Sequence, residues 1–191
     1  MTTQELFDLA QKRYRYASSL VTDMVEFIRK EQPEFKAINS YCQFDMIVQY
    51  ILLKVALADG KFLEIEGEFI DQITDTYDIL QLFDKHDDQY NWSFAGALMN
   101  YEQVASLISK VEKLANEHIF AFADLFAEVD LKDRSKNYIQ EIYHSIKDIA
   151  SAFIMADGTS SPEEVEIAVN VVRDCLTGPW LTKQKKLKNR R

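Results

Sequence analysis

The chain has 191 residues, 47 % of them hydrophobic, with five Gly and three Pro, a composition that excludes disorder and argues against a turn-rich all-β design. The formal net charge is −9, yet six of the 22 basic residues fall within 183–191, where no acid lies, so residues 1–182 carry 16 basic against 31 acidic side chains. A body at −15 repels DNA, RNA and anionic lipid over most of its surface and leaves only the basic tail to attract them.

Apolar residues spaced by three and four over 4–30 (Leu6, Leu9, Ala10, Ala17, Leu20, Val21, Met24, Phe27, Ile28) predict a long first helix, which Pro33 closes. The same spacing over 41–59 (Phe44, Ile47, Val48, Ile51, Leu52, Val55, Ala58) predicts a second, ending at Gly60, a residue suited to the left-handed position after a helix. A third is expected over 64–82, before a polar cluster at 84–91. Two more are placed at 93–114 and 116–130, the latter apolar enough to be central, with a loop at 130–134. Residues 135–157 resume the periodic pattern and stop at Gly158. Ser161-Pro162-Glu163-Glu164 then starts the last helix with an N-cap serine, a proline in the first helical position and a glutamate three residues after the cap. About seven helices in an all-α fold follow, as one domain over 1–182 with a basic tail at 183–191.

One short pattern occurs twice. Ala58-Asp59-Gly60 is followed by Glu66, and Ala156-Asp157-Gly158 by Glu164, 98 residues further on. Each copy lies between two helical stretches, which implies an internal pseudo-two-fold repeat of helix, turn and helix. Asp59 prolongs the stripe Val48, Leu52, Val55, and Asp157 the stripe Ile146, Ala150, Phe153, so both are expected to point inward. Glu66 heads Ile70, Ile73 and Tyr77, while Glu164 heads Ala168, Val171 and Cys175.

An inward carboxylate is costly unless it is hydrogen-bonded, paired or bound to metal. Two readings of Asp59, Glu66, Asp157 and Glu164 therefore stay open. They cap helices and turns, or they hold a divalent cation, Ca²⁺ or Mg²⁺ rather than Zn²⁺ because every ligand would be oxygen. Capping is better supported for Glu164, where Ser161 completes the box, than for Glu66, where Leu63 occupies the cap position and has no oxygen to offer. Neither turn is an EF-hand, since Gly60 and Lys61 follow Asp59.

At these residues the chain resembles the TerB-like tellurite-resistance family, whose helical domains carry an internal repeat with an Ala-Asp-Gly and Glu turn in each half. The resemblance covers about residues 40–177 and leaves the first helix and the basic tail outside it. It departs from the family pattern at Leu63 and Gly67 in the first copy. It implies an all-α fold, acidic clusters that bind divalent cations and a cytoplasmic role in bacterial stress or chemical resistance, as a scaffold with protein partners, some of them at the membrane.

Other chemistry lacks material. A single Glu141-x-x-His144 pair is half of a di-iron motif without its other ligands. No phosphate-cradling or nucleophile-elbow motif is present. Cys42 and Cys175 are spaced as core residues of a reducing compartment, and no apolar run reaches a membrane-spanning length. The expectation is a non-enzymatic, cytoplasmic cation-binding or interaction scaffold. Its rival is an interaction or tail-anchored module whose repeated carboxylates are only helix caps, and a metal-dependent enzyme comes third.

Overall fold

The structure is a computed structural model and describes residues 1–35, 37–74, 94, 101–133, 135–156, 158 and 160–176. Among these the side chains of 37–39, 42, 110–124, 175 and 176 are not described. The side chains of both cysteines, together with the 84–91 cluster, Asp157 and the 183–191 tail, thus lie outside what the structure describes.

Within them the chain is all-α. Six helices, α1 Thr3–Glu31, α2 Ala37–Ala56, α3 Glu64–Ile73, α4 Tyr101–Lys132, α5 Tyr138–Ala156 and α6 Pro162–Leu176, are joined without a strand. The sequence divided residues 93–130 into two helices, but α4 runs unbroken through Ala115 and Asn116. Neither Gly nor Pro lies between 101 and 132, so nothing local interrupts the backbone ladder. At the other extreme, α3 stops at Ile73, where Thr74 turns extended (φ −116°, ψ 159°) and its hydroxyl donates to the Ile70 carbonyl at 3.0 Å. The side chain of Gln49 on α2 donates to that hydroxyl at 2.9 Å and ties the end of α3 to the centre of the fold.

That centre is α2. Ile51, Leu52 and Leu53 are consecutive and all fully buried, so this stretch is covered on every side. α2 packs against each of the other five helices. The most extensive single contact, however, is between α1 and α5. These two run antiparallel, as three cross-contacts in reverse order and a fourth just before α5 show. Thr3 donates to the Ala156 carbonyl (3.5 Å), Arg13 pairs with Asp148 (2.8 Å), Tyr16 donates to Glu141 (3.1 Å), and Asp23 pairs with Lys136. Ala10 and Ala17 have no exposed surface, and their small side chains let α1 sit close to its neighbours. Phe69 of α3 completes the joint, its ring 4.9 Å from that of Phe7 on α1 and edge-on at 5.2 Å from that of Phe153 on α5. The first helix is therefore part of the core, although the family resemblance stops short of it.

Candidate functional site

The two repeated turns are built alike where both are described. Gly60 has φ +82° and Gly158 φ +80°, the left-handed region open to glycine. Gly60 N–H donates to the Leu57 carbonyl at 3.2 Å and Gly158 N–H to the Met155 carbonyl at 3.3 Å, so each chain tightens by one step as it leaves its helix. The likeness observed between the halves is one of turns and of the helix starts that follow.

Those starts place both glutamates. Glu164 is 4 % exposed, accepts Ser161 N–H on Oε2 at 2.7 Å, and returns its own N–H to Ser161 Oγ at 3.0 Å. Glu66 is 6 % exposed and accepts Leu63 N–H on Oε2 at 2.6 Å, while its N–H meets the Leu63 carbonyl at 3.1 Å. Charge-assisted bonds to backbone donors and the positive end of the helix dipole offset the cost of burying each carboxylate. Both glutamates are inward, as their stripes indicate.

Asp59 is not. It is exposed, and its Oδ1 accepts Lys61 N–H at 2.9 Å in a turn that closes on itself. The inward expectation extrapolated the stripe Val48, Leu52, Val55 beyond the helix, but α2 ends at Ala56, and after that point helical spacing no longer sets direction. Asp157 lies outside the described residues, so its partners stay an expectation of the sequence. α3 packs on α1, α2 and α5, whereas α6 packs on α2, α4 and α5, and each glutamate bonds the first turn of its own helix. Among the described residues no three His, Cys, Asp or Glu side chains gather in a group able to hold a metal ion.

The same capping geometry occurs a third time, at a place the repeat does not mark. Thr2 N–H donates to Glu5 Oε2 at 2.7 Å, and Glu5 N–H donates to Thr2 Oγ1 at 3.2 Å. Carboxylate and amide caps also start α5. Asp130 accepts Tyr138 N–H at 2.6 Å and Ile139 N–H at 3.2 Å, and Asn137 Oδ1 accepts Gln140 N–H at 3.2 Å. Partial burial of Asp130 raises its pKa, against the lowering effect of those two backbone bonds.

A different feature has the shape of a binding site. Between α5 and α6 lies a groove of about 310 Å³. Its floor holds Ala150, Ile154, Ala168 and Val172, all buried. Its rim holds Met155, Val165 and Val169, which are 47 %, 47 % and 48 % exposed and belong to the large apolar side chains that solvent reaches. Tyr143, Lys147, Ser151 and Ser160 add the polar groups. The sequence carries a signal for this site in the residues of α6. α6 carries Val165, Val169 and Val172 at i, i+4 and i+7 beside the stripe Ala168 and Val171, more apolar surface than one core contact uses.

The fold defines the class of this molecule, an all-α protein. Protein-family models, curated proteins and solved structures offer no match to the chain. Among the described residues no helix is long and apolar enough to cross a membrane.

Proposed function

We propose that the chain is a non-enzymatic interaction module that works through the groove between α5 and α6, and that its repeated carboxylates are helix caps. The observation that carries this reading is the third glutamate cap, at the start of α1. Glu66 and Glu164 bond to backbone N–H groups as Glu5 does, at a helix start with no Ala-Asp-Gly turn before it. A device repeated at three helix starts is what helix initiation calls for. What remains as an unspent surface is the exposed apolar rim of the groove, of a kind that marks contact sites. The resemblance to TerB-like proteins adds a cytoplasmic, bacterial stress-resistance setting with protein partners to this proposal.

The test is binding of an uncharged apolar dye such as Nile red, compared with the Val165→Ser/Val169→Glu chain. Both positions are about half exposed, so the pair of changes leaves the core intact. Saturable binding that the variant loses supports the reading, and equal binding by both chains overturns it.

Divalent-cation binding by Asp59, Glu66, Asp157 and Glu164 is the second reading. It is favoured by Asp59, whose exposed carboxylate sits beside a turn of the same form as the one at Gly158. A saturable rise in melting temperature with Mg²⁺ or Ca²⁺, lost on Asp59→Asn with Glu66→Gln, would establish it.

A further inference from the structure

We infer that the α5–α6 groove is a site for a small amphipathic carboxylate, its apolar chain on the floor and its head on Lys147. This deepens the proposed function and rests on it, since it names the ligand of the same groove. At about 310 Å³ the groove falls at the lower end of the range in which proteins hold small molecules. The apolar floor is already buried at Ile154 and Val172, 6 % and 2 % exposed, so a chain laid over it is removed from water without any rearrangement of the core. The flexible side chain of Met155 and the two valines stand at its edges, placed to close over such a chain.

The polar groups decide the sign of the head. Among the described residues Lys147 is the one charged side chain that lines this groove, in a chain whose net charge is −9. Tyr143 precedes it by four residues, so hydroxyl and ammonium share one face of α5. Among the described residues no hydrogen bond or ion pair engages either group, and Tyr143 makes only an edge-on ring contact with His144, centroids 5.6 Å apart. Both offer donors. Ser151 has committed its own proton to the Lys147 carbonyl at 2.9 Å and cannot supply another to a head group. The unused donors of Tyr143 and of the cationic Lys147, with no acid among the described lining residues, favour a carboxylate over an amine. Glu166 borders the adjoining shallow surface, beside Pro162 and Asn170. Lys147 lies eight residues before Met155 on α5, about 12 Å along the helix, which orients the ligand with its head toward the start of α5 and leaves room for a medium-length chain.

The experiment is calorimetric titration of the full chain with hexanoate, octanoate and decanoate below their micellar concentrations, alongside the matched alcohols. It is repeated on Lys147→Met and on Val169→Glu. The expected result is saturable one-to-one binding that tightens about fourfold per added methylene while floor remains to be covered. Lys147→Met should weaken the carboxylates about two- to fivefold and leave the alcohols unchanged, as loss of one exposed ion pair requires. Val169→Glu should weaken both series. If the wild-type chain binds alcohol and carboxylate equally, or if Lys147→Met changes neither, the carboxylate assignment is overturned while the apolar groove stands. If no amphiphile and no uncharged dye binds, the proposed function fails with it. Lys147-dependent binding to anionic vesicles in place of the free acids would overturn the assignment in favour of a lipid surface. A variant that loses the native melting transition is set aside, because the comparison of alcohol with carboxylate on the unaltered chain decides by itself.

Discussion

Ser161 and Glu164 exchange hydrogen bonds across the first turn of α6, Ser161 N–H to Glu164 Oε2 at 2.7 Å and Glu164 N–H to Ser161 Oγ at 3.0 Å. At the matching place on α3, Glu66 accepts from Leu63, which has no hydroxyl with which to answer. The starts of α6 and α3 are thus a complete and a half-complete version of one device.

The difference predicts opposite responses. Ser161→Ala should destabilise the chain by about 1 kcal/mol, the usual loss on removing a cap. Leu63→Ser should stabilise it by roughly 0.5–1 kcal/mol, because Leu63 already has the extended cap conformation (φ −98°, ψ 152°) and its side chain is 38 % exposed. Urea unfolding midpoints at equal slope would check both, and a Leu63→Ser chain no more stable than its parent would contradict the half-complete cap.

Gly60→Ala and Gly158→Ala should each cost about 1–2 kcal/mol. A methyl group built at either position meets nothing within 4 Å, so the cost arises from the positive φ alone and not from a clash. Gly→Asn at either site should cost less than Gly→Ala, since asparagine tolerates the left-handed region. The order of the unfolding midpoints in thermal melts checks this.

Tyr138 gives a prediction for alkaline pH. Burial, followed by its hydrogen bond to Asp133 at 3.1 Å, raises the phenol from 10.0 to about 12. The folded chain therefore holds this proton more tightly than the unfolded chain. The corresponding stability is fully present below pH 10 and is lost as pH rises from about 10 to about 12. Tyr138→Phe keeps the ring in the core, should cost about 0.5–1.5 kcal/mol at neutral pH for the missing hydrogen bond, and should remove part of the alkaline decline. Stability differences between parent and variant from pH 8 to 11 isolate the effect, and a difference that does not narrow with rising pH would exclude it.

The antiparallel α1–α5 contact predicts that a chain beginning at residue 34, without α1, does not fold cooperatively, because Leu6, Phe7, Leu20, Val21 and Met24 leave the core together. Within α1, Ala17→Leu should cost about 1–3 kcal/mol by overpacking a site with no exposed surface. Arg13→Ala, at an ion pair whose side chains are 43 % and 39 % exposed, should cost under about 1 kcal/mol. Circular dichroism melts would rank the three.

For the repeated carboxylates, the capping reading predicts that Mg²⁺ or Ca²⁺, added after chelation at constant ionic strength, leaves the melting temperature unchanged. Glu164→Ala should lower it with or without the cation, as expected when the carboxylate serves the backbone of its own helix.

Helix starts and stops were legible in the residues because they depend on contacts three or four positions apart. Ser161-Pro162 opens α6, Gly60 and Gly158 take the left-handed turn, and the α1 stripe from Leu6 to Ile28 marks the face that is buried. These interactions are complete within a turn or two of backbone, so local residue order suffices for an all-α chain with these turns and with Glu66 and Glu164 facing inward. The direction of Asp59 was not available in the same way, since a stripe predicts orientation only while the helix lasts and α2 ends three residues earlier. Nor was the merging of 101–132 into one helix, where the apolar pattern is broad and no breaker residue settles the count. Long-range packing was needed to establish that α1 lies antiparallel on α5, that α2 is the enclosed helix, and that Val165, Val169 and Met155 rim an open groove instead of a core. The reason is physical: a hydrophobic stripe records that a face is to be covered, while which helix covers it depends on the shapes and lengths of elements far apart in the chain.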